Sequence, residues 1–586
     1  MRATNARLCM MFHRLADRLE ISGGNSFQVQ AYRRFADGVA ELADPLVDRW
    51  EAGADLAEIP GVGKAIAEKL DSLFRTGTFP LLERLHAEVP ASQLELLHIR
   101  GLGPARVRAL AEQLQVRDVH QLRKALESGQ LAEVKGLGER TGSRIQRSLY
   151  EYMSHRGRRL RYQCEGPMEL LISHVRRCPA AAQVIPAGSF RRGVEDILRL
   201  KLVVVTGRPD ELRECLARFD AAEPIDPVRG SDEPMQGAAP RTPALASLRF
   251  DTGLHADIHA ATSETLGAAL AWHTGPQSLR DSLGALAVIR GYTFGPQGLS
   301  SANGTVHTPD EETFFRLLGL NVIPPELRDE PGVDVKAADT PFPRLLAREE
   351  ILGDLHMHTQ ASDGSGSVLD MAIAARALGH RYIAVTDHTQ NVRIANGLTP
   401  ERAAALIDEV RRVDGQVDGI RILAGLEVDI LKDGSLDMPE EILSRLDVAI
   451  ASVHSHFDQP QEEMTARVLE ALKNPRIHIL GHPTGRLIGQ RSPLQLDMDR
   501  VFELATKTRV ALELNSNPER LDLNDRHCGI ASRLGIPIVI STDAHSPSQL
   551  DNMSRGVLQA RRGGLTAQHV VNTLPCEEAL AVLRRG

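Results

Sequence analysis

Nine side chains in the C-terminal part of the chain, His356, His358, Asp363, His388, Glu427, His454, His482, Asp543 and His545, are of the types that bind divalent metal ions. Most of them close short apolar runs: "ILGDLHMH", "YIAVTDH", "RILAGLEVD", "DVAIASVHSH", "IHILGHP", "VALELNSN" and "IPIVISTDAH". Seven of the eleven histidines beyond residue 349 fall at these run ends, a clustering that satisfied core histidines would not produce. His-x-His and Asp-x-His at a strand end aim both side chains to one side, because side chains alternate along a strand. Nitrogen and oxygen donors without thiolate suit Zn, Mn or Fe, and nine donors exceed what one ion takes, so two or three divalent ions are expected. A carboxylate such as Glu427 can bridge two of them, and paired ions clamp the attacking and leaving oxygens of a phosphate ester. His356, His358, Glu427, His454 and Asp543 form the expected catalytic core, with Asp387 and Asp429, adjacent to ligands, as candidates for orienting them.

The elements that must position these groups are readable from the same runs. Buried strands alternating with helical stretches mean a parallel sheet, and seven or eight repeats suggest closure into a barrel, whose functional groups sit at the C-terminal strand ends. Upstream, residues 160 to 320 mix strands, "DILRLKLVVVT" and "LHADIHAAT", with a helix, "SETLGAALAWHT". The polar insertion "RGSDEPMQGAAPRTPA" reads as a flexible loop, and the Pro-rich, charged segment 324–343 as a linker.

The first 150 residues repeat one design three times, "LAEIPGVGKAIAEKL", "LLHIRGLGPARVRAL" and "LAEVKGLGERTGSRI". Each glycine pair, Gly61 with Gly63, Gly101 with Gly103 and Gly136 with Gly138, permits a tight turn at the start of a helix, where backbone N–H groups and the helix dipole favour an anion. Lys64, Arg106 with Arg108, and Arg140 with Arg144 follow. One such pair is usually a helix cap, but three, each trailed by a cation, resemble helix-hairpin-helix motifs, which hold the DNA backbone without reading bases.

The composition bounds these readings. A chain of 586 residues suggests three or more domains, and 42% apolar with 25% charged residues is a globular balance. No apolar run is long enough for a membrane span, and the first twenty residues read as an amphipathic helix, so a cytoplasmic location is expected. Six scattered cysteines argue against a disulfide framework. The net charge of −8 conceals a local excess, since residues 101–150 carry nine Lys or Arg against five Asp or Glu.

A second chemical stretch is "GSFRRGVEDILRLKLVVV", residues 188–205, a Gly-Ser turn with arginines followed by a strand that presents Arg199 and Lys201. With "NSFQVQAYRRFADGVAEL", the Gly-x-Gly repeats, "LGAALAWHTG" and "VIPPELR", it resembles in order the bacterial family-X DNA polymerases that carry a C-terminal PHP (polymerase and histidinol phosphatase) domain, over essentially the whole chain. The resemblance implies a helical DNA-binding region over 1–155, an α+β nucleotidyltransferase-like palm and thumb over 156–322, a linker at 323–348, and over 349–586 a distorted (β/α)7 barrel with a trinuclear site. It also implies metal-dependent 3′-5′ exonuclease activity, in some family members with cleavage at abasic sites, in DNA repair. Family members hold two magnesium ions with three aspartates. In the equivalent site, with Gly188, Ser189 and Arg192, two of those positions are Arg199 and Lys201 and only Asp257 of "HADIHA" fits the third. Cations do not ligate magnesium, so synthesis is doubtful, the shifted Asp196 is a weak rescue, and Arg199 or Lys201 is expected to pair with Asp257 or Glu195. The thumb stretch "PQSLRDSLG" departs as well. The partner implied is DNA, bound through its backbone by a monomer and without a membrane. A phosphatase for a small phosphomonoester and a non-enzymatic repair scaffold are the competing classes.

Overall fold

A computed structural model describes residues 5–40, 46–59, 62–99, 101–134, 137, 141–142, 144–146, 148–149, 152, 157–225, 244–250 and 253–584. The chain divides into two compact units, 1–156 and 157–586. Among the described residues no helix is long and apolar enough to cross a membrane.

In the first unit, helices Asn5–Ile21 and Ser26–Ala40 pair through Phe12 and Phe35, whose rings meet edge to face at 4.6 Å. The described residues of the three sequence repeats share one arrangement. Short 3-10 turns Leu56–Glu58, Leu96–His98 and Gln130–Glu133 are each followed by a tight backbone turn, in which Val62 donates to Ile59 at 2.9 Å, Leu102 to Ile99 at 2.9 Å and Leu137 to Val134 at 3.0 Å. The apolar residues at the same three places of each repeat, Leu56, Ile59 and Val62, then Leu96, Ile99 and Leu102, then Leu131, Val134 and Leu137, are all buried. The repeated spacing thus buries one face of each turn.

In the second unit, strands Gln183–Ala187, Arg199–Val205, His255–Ala261, Ala246–Phe250 and Ala222–Ile225 form the palm sheet in that order. Arg199–Val205 and His255–Ala261 run parallel, and the rest are antiparallel. Leu200, Leu202 and Val204 pack among helices Arg161–Arg176 and Pro209–Ala217, so Arg199, Lys201 and Val203 share the opposite face. The polar insertion lies outside the described residues. Helices Leu266–Thr274, Gln277–Ile289 and Glu311–Leu317 with a small three-stranded sheet form the next layer. The segment expected as a linker carries helix Val333–Asp339, whose Val333 and Ala337 are buried in the same cluster as Leu283 and Phe314. Its spacing of four apolar residues was outweighed in the sequence by its prolines and charges.

The remainder is the barrel. Seven parallel strands, Gly353–Asp354, Tyr382–Val385, Arg421–Asp429, Val448–Ser452, Ile479–Leu480, Ala511–Asn515 and Ile538–Ser541, pair in chain order. Met357 bridges Ala544, and the His358 N–H donates to Ala544 at 2.8 Å, so the last strand end meets the first. Alternation then sorts the side chains. Tyr382, Ala384, Leu423, Val448, Ile450, Ile479, Ala511 and Val539 fill the interior with Leu580 and Leu583 of the C-terminal helix, while Ile383, Ile422, Ala449, Leu512 and Ile540 face the surrounding helices. Continuing the inward parity gives Glu427, Glu513, Ser541 and Asp543.

The palm side and the barrel are pinned by arginines. Arg486 donates to Glu195 at 2.7 Å, Arg561 pairs with Glu326 at 2.8 Å and Arg555 with Glu165, while Arg562 reaches Asp329 at 2.9 Å and Asp525 at 2.7 Å. Arg192 shares Asp329, at 2.9 Å. Arg486→Ala is expected to lower the thermal transition of the 157–586 unit, because a largely enclosed pair that loses one partner costs about 2 to 4 kcal/mol. Differential scanning calorimetry checks it, and an unchanged transition would place this pair among the inconsequential surface contacts.

Candidate metal centre

The barrel brings all nine predicted donors to the C-terminal ends of its strands. Ligand atoms of His356, His358 and Asp543 lie within 4.8 Å of one another, as do those of His388, Glu427 and His454, and those of His358, Asp363, His388 and His545. Glu427, fully buried, stands between these groups. Its Oε2 is 2.8 Å from His388 Nδ1, 3.5 Å from His356 Nε2 and 3.7 Å from His358 Nε2. Its Oε1 is 2.9 Å from His482 Nε2 and 3.2 Å from His454 Nε2. Neither oxygen accepts a hydrogen bond, and Nδ1 of His358, His388, His454 and His482 is likewise buried without one. Buried polar atoms in native folds nearly always have partners, so a carboxylate with both oxygens unspent among five imidazole nitrogens fits divalent cations. Two of the predicted donors, His482 (φ 24°) and Asp543 (φ 52°), occupy the left-handed region although they are not glycines, the kind of strain that a functional site keeps.

Electrostatics agree. Burial pushes the Glu427 carboxyl up, but the imidazoles of His454, His356 and His388 outweigh it and hold the group well below the carboxylate range. Asp543 is held down in the same way by His356 and His358. Burial, aided by the neighbouring His388, depresses His358 to about 3. Burial also opposes the charge on His454, yet Glu427 and Asp429 raise it to about 9. The carboxylates of Glu427 and Asp543 are therefore held ionised, and His454 holds a proton that a cation would displace.

The supports differ in part from those read in the sequence. Asp429 Oδ1 is 3.3 Å from His454 Nδ1 and accepts from the His454 backbone at 3.0 Å, as expected of an orienting group. Asp387 instead accepts from Thr359 at 2.9 Å and Ser362 at 3.1 Å, so it shapes the loop leading to Asp363. Glu513 is the residue the sequence reading missed. Its Oε1 accepts from His356 Nδ1 at 2.7 Å, leaving Nε2 toward Glu427, and its Oε2 accepts from the His482 backbone. Its signal was available, since it has the inward parity of the strand Ala511–Asn515. Asn515 donates to Asp543 at 3.1 Å, and Arg520 lies 3.6 Å from the same carboxylate with its Nη1 buried and without a hydrogen bond.

In the helical repeats, Gly63 and Gly103 are the N-cap residues of helices Lys64–Thr76 and Pro104–Leu114, with no side chain capping either end. Lys64 and Arg144 are exposed. Arg106 is turned inward, and its Nη1 donates to the Gly101 carbonyl at 2.8 Å. Gly101 itself has φ 97° and would press a Cβ against Ile145. Gly61, Gly136, Gly138 and Arg140 lie outside the described residues.

In the palm, Arg199 Nη1 donates to Asp257 at 3.0 Å, and Ser247 donates to the same oxygen at 2.6 Å. Asp196 pairs with Arg158 at 2.8 Å and Glu195 with Arg486. Lys201 stands beside Asp257 in register, its stem against Gly188, and Ser189 accepts from Arg192 at 3.4 Å.

Comparison with known proteins follows this architecture. Family models match as helix-hairpin-helix domain (3–79), SAM-like helix-hairpin-helix tandem (94–150), DNA polymerase beta thumb (269–329) and PHP domain (354–517). The chain is 33% identical over 571 residues, 97% of each chain, to the "DNA polymerase/3′-5′ exonuclease PolX" of Bacillus subtilis. Over 38% of its length it is 32% identical to a probable phosphatase of Acetivibrio thermocellus and 27% identical to one of Thermoanaerobacter sp., covering 90% and 89% of those chains.

Proposed function

The chain belongs to the family-X DNA polymerases with helix-hairpin-helix, polymerase-thumb and C-terminal PHP domains, and from that premise we propose that it is a DNA-processing 3′-5′ exonuclease of repair whose palm no longer supports synthesis. The reading assigns 1–155 to DNA retention, 156–322 to the palm and thumb, 323–348 to the connection and 349–586 to hydrolysis. The observation that carries it is Glu427, a buried carboxylate with both oxygens unspent among five imidazoles.

His356, His358, Asp363, His388, Glu427, His454, His482, Asp543 and His545 would hold two or three ions of Zn, Mn or Fe. When bound, these ions activate the attacking water and stabilise charge on the phosphate. The chain's own contribution is positional. Glu513 fixes the His356 ring, Asp429 fixes His454, and Arg520 offers a buried guanidinium N–H at the edge of the site, suited to a phosphoryl oxygen. The test is degradation of a 3′-labelled, 3′-recessed duplex beside hydrolysis of p-nitrophenyl phosphate. Chelation should stop the first, and hydrolysis of the small ester alone would favour the phosphatase reading, which the two probable phosphatases support for the barrel taken by itself.

The helical repeats supply a second expected result. Lys64→Ala and Arg144→Ala should weaken DNA binding regardless of sequence and lower the salt slope by roughly one per lost phosphate contact. Fluorescence anisotropy across a salt series reads this directly, and an unchanged slope would remove these cations from the interface. Arg106→Ala should also loosen the fold, since its guanidinium ties down the Gly101 carbonyl.

A further inference from the structure

Most of the predicted metal donors are sunk below the barrel rim: His356, His358 and Glu427 are fully buried, and His388, His482 and Asp543 nearly so. A paired 3′ end is broader than a single strand, and freeing its last nucleotide costs unpairing and unstacking. At the rim stands the loop 389–398, which follows the donor His388 after the strand Tyr382–Val385 and folds back, so that the Leu398 N–H donates to the His388 carbonyl at 2.7 Å. Both feet of this loop are tied to neighbours of the site. Asn391 donates from its backbone to Asp437 at 2.6 Å and from its amide to Asp429, the support of His454. Asn396 donates to the Ser362 carbonyl at 3.3 Å, next to Asp363, and Arg402 clamps the Asn396 and Gly397 carbonyls at 2.9 and 3.1 Å. Gly397 lies so close to the Thr389 carbonyl that a Cβ would come within 2.0 Å of it. The backbone of the loop is thus fixed from both sides.

Its tip is apolar and unpartnered. Ala395 and Leu398 are buried, yet Ile394 between the anchors is 98% exposed, more than any other large apolar side chain among the described residues. Arg393 beside it is exposed, and its guanidinium makes no hydrogen bond or ion pair to any described residue. A lone apolar side chain on a surface needs no explanation, but this one tops a stiff turn whose feet hold the supports of two donors. We infer that Ile394 is a strand-opening wedge, which enters the last base step of a duplex at its 3′ end while Arg393 meets a phosphate, and so frees the end nucleotide for the donors beside the loop. The inference rests on the exonuclease reading of the barrel. An apolar side chain pushed between base pairs unstacks them, and a tip whose backbone is already fixed loses little further conformational freedom in doing so. Neither an isoleucine nor a guanidinium on phosphate reads base edges, so the opening is indifferent to sequence.

The experiment compares the full-length chain with Ile394→Ser, a change at a solvent-exposed position that leaves the fold in place. One labelled strand is offered with manganese, alone and paired. The ratio of paired to single-strand degradation rates should fall at least about tenfold in Ile394→Ser and return in Ile394→Leu. A second readout needs no hydrolysis. The chain silenced by His356→Ala and His358→Ala is added to a duplex with 2-aminopurine as the penultimate 3′ base, whose fluorescence rises on unstacking, and Ile394→Ser should remove at least about half of that rise at saturating protein. Degradation of neither strand by the unmodified chain would defeat the exonuclease reading, and the fluorescence would then decide the wedge alone. Where the strands are degraded, an unchanged ratio overturns the proposal. A fluorescence rise that is absent, or that Ile394→Ser leaves intact, overturns it in every case.

Discussion

Glu427→Gln is expected to slow degradation of a 3′-labelled strand by at least about a thousandfold, or roughly 4 kcal/mol of lost barrier reduction. The substitution preserves shape and removes the one charge that faces five imidazoles from both of its oxygens. An amide also turns an NH2 toward donors or ions where an acceptor is needed. The loss should therefore appear in composition as well as rate, with elemental analysis falling from two or three ions per chain in the unmodified protein to fewer in the variant. A variant that keeps its ions and stays within tenfold of the original rate would show that Glu427 does not join the clusters. Because the side chain is buried and already an orphan, its neutralisation should not unfold the barrel, and the circular dichroism spectrum provides the check.

Primer extension is expected to be absent with either magnesium or manganese when the barrel is silenced by His356→Ala and His358→Ala, so that degradation cannot mask synthesis. Phosphoryl transfer of this kind depends on ions bridging the phosphates and the attacking hydroxyl. The positions read from the sequence as ligand sites hold Arg199, tied to Asp257, and Lys201. Arg199→Asp with Lys201→Asp would place three carboxylates on neighbouring parallel strands and recover ion binding. Extension should stay at least about a hundredfold below that of an intact polymerase, because positioning by the altered stretch "PQSLRDSLG" also matters. Template-dependent extension by the silenced but otherwise unmodified chain would mean that the strand has been misread.

What the sequence disclosed follows a physical pattern. The barrel and its donors were legible because strand alternation and residue type coincide: Glu427 and Asp543 continue the inward parity of otherwise apolar strands. The Arg199–Asp257 pair was legible because opposite charges on adjacent strands find one another. Glu513 was overlooked because a carboxylate that holds an imidazole looks, in one dimension, like any other strand acid. The choice of Arg486 for Glu195 could not be read, since the partners are 291 residues apart and meet only through the packing of palm on barrel. The bond from Arg106 to the Gly101 carbonyl could not be read either, since residue type and spacing do not show which acceptor a guanidinium meets.

The arginine clamps along the barrel's outer face set a limit on its independence. Cut free at residue 349, the barrel would keep Arg486, Arg555 and Arg561 but lose Glu195, Glu165 and Glu326, and Arg562 would retain Asp525 alone. Leu558, which packs against Gly193, would be bared between them. The excised hydrolase would thus carry a cationic, partly apolar scar, prone to self-association and to indiscriminate adhesion to nucleic acid. The palm side therefore serves as the counter-ion of the barrel, whatever else it does.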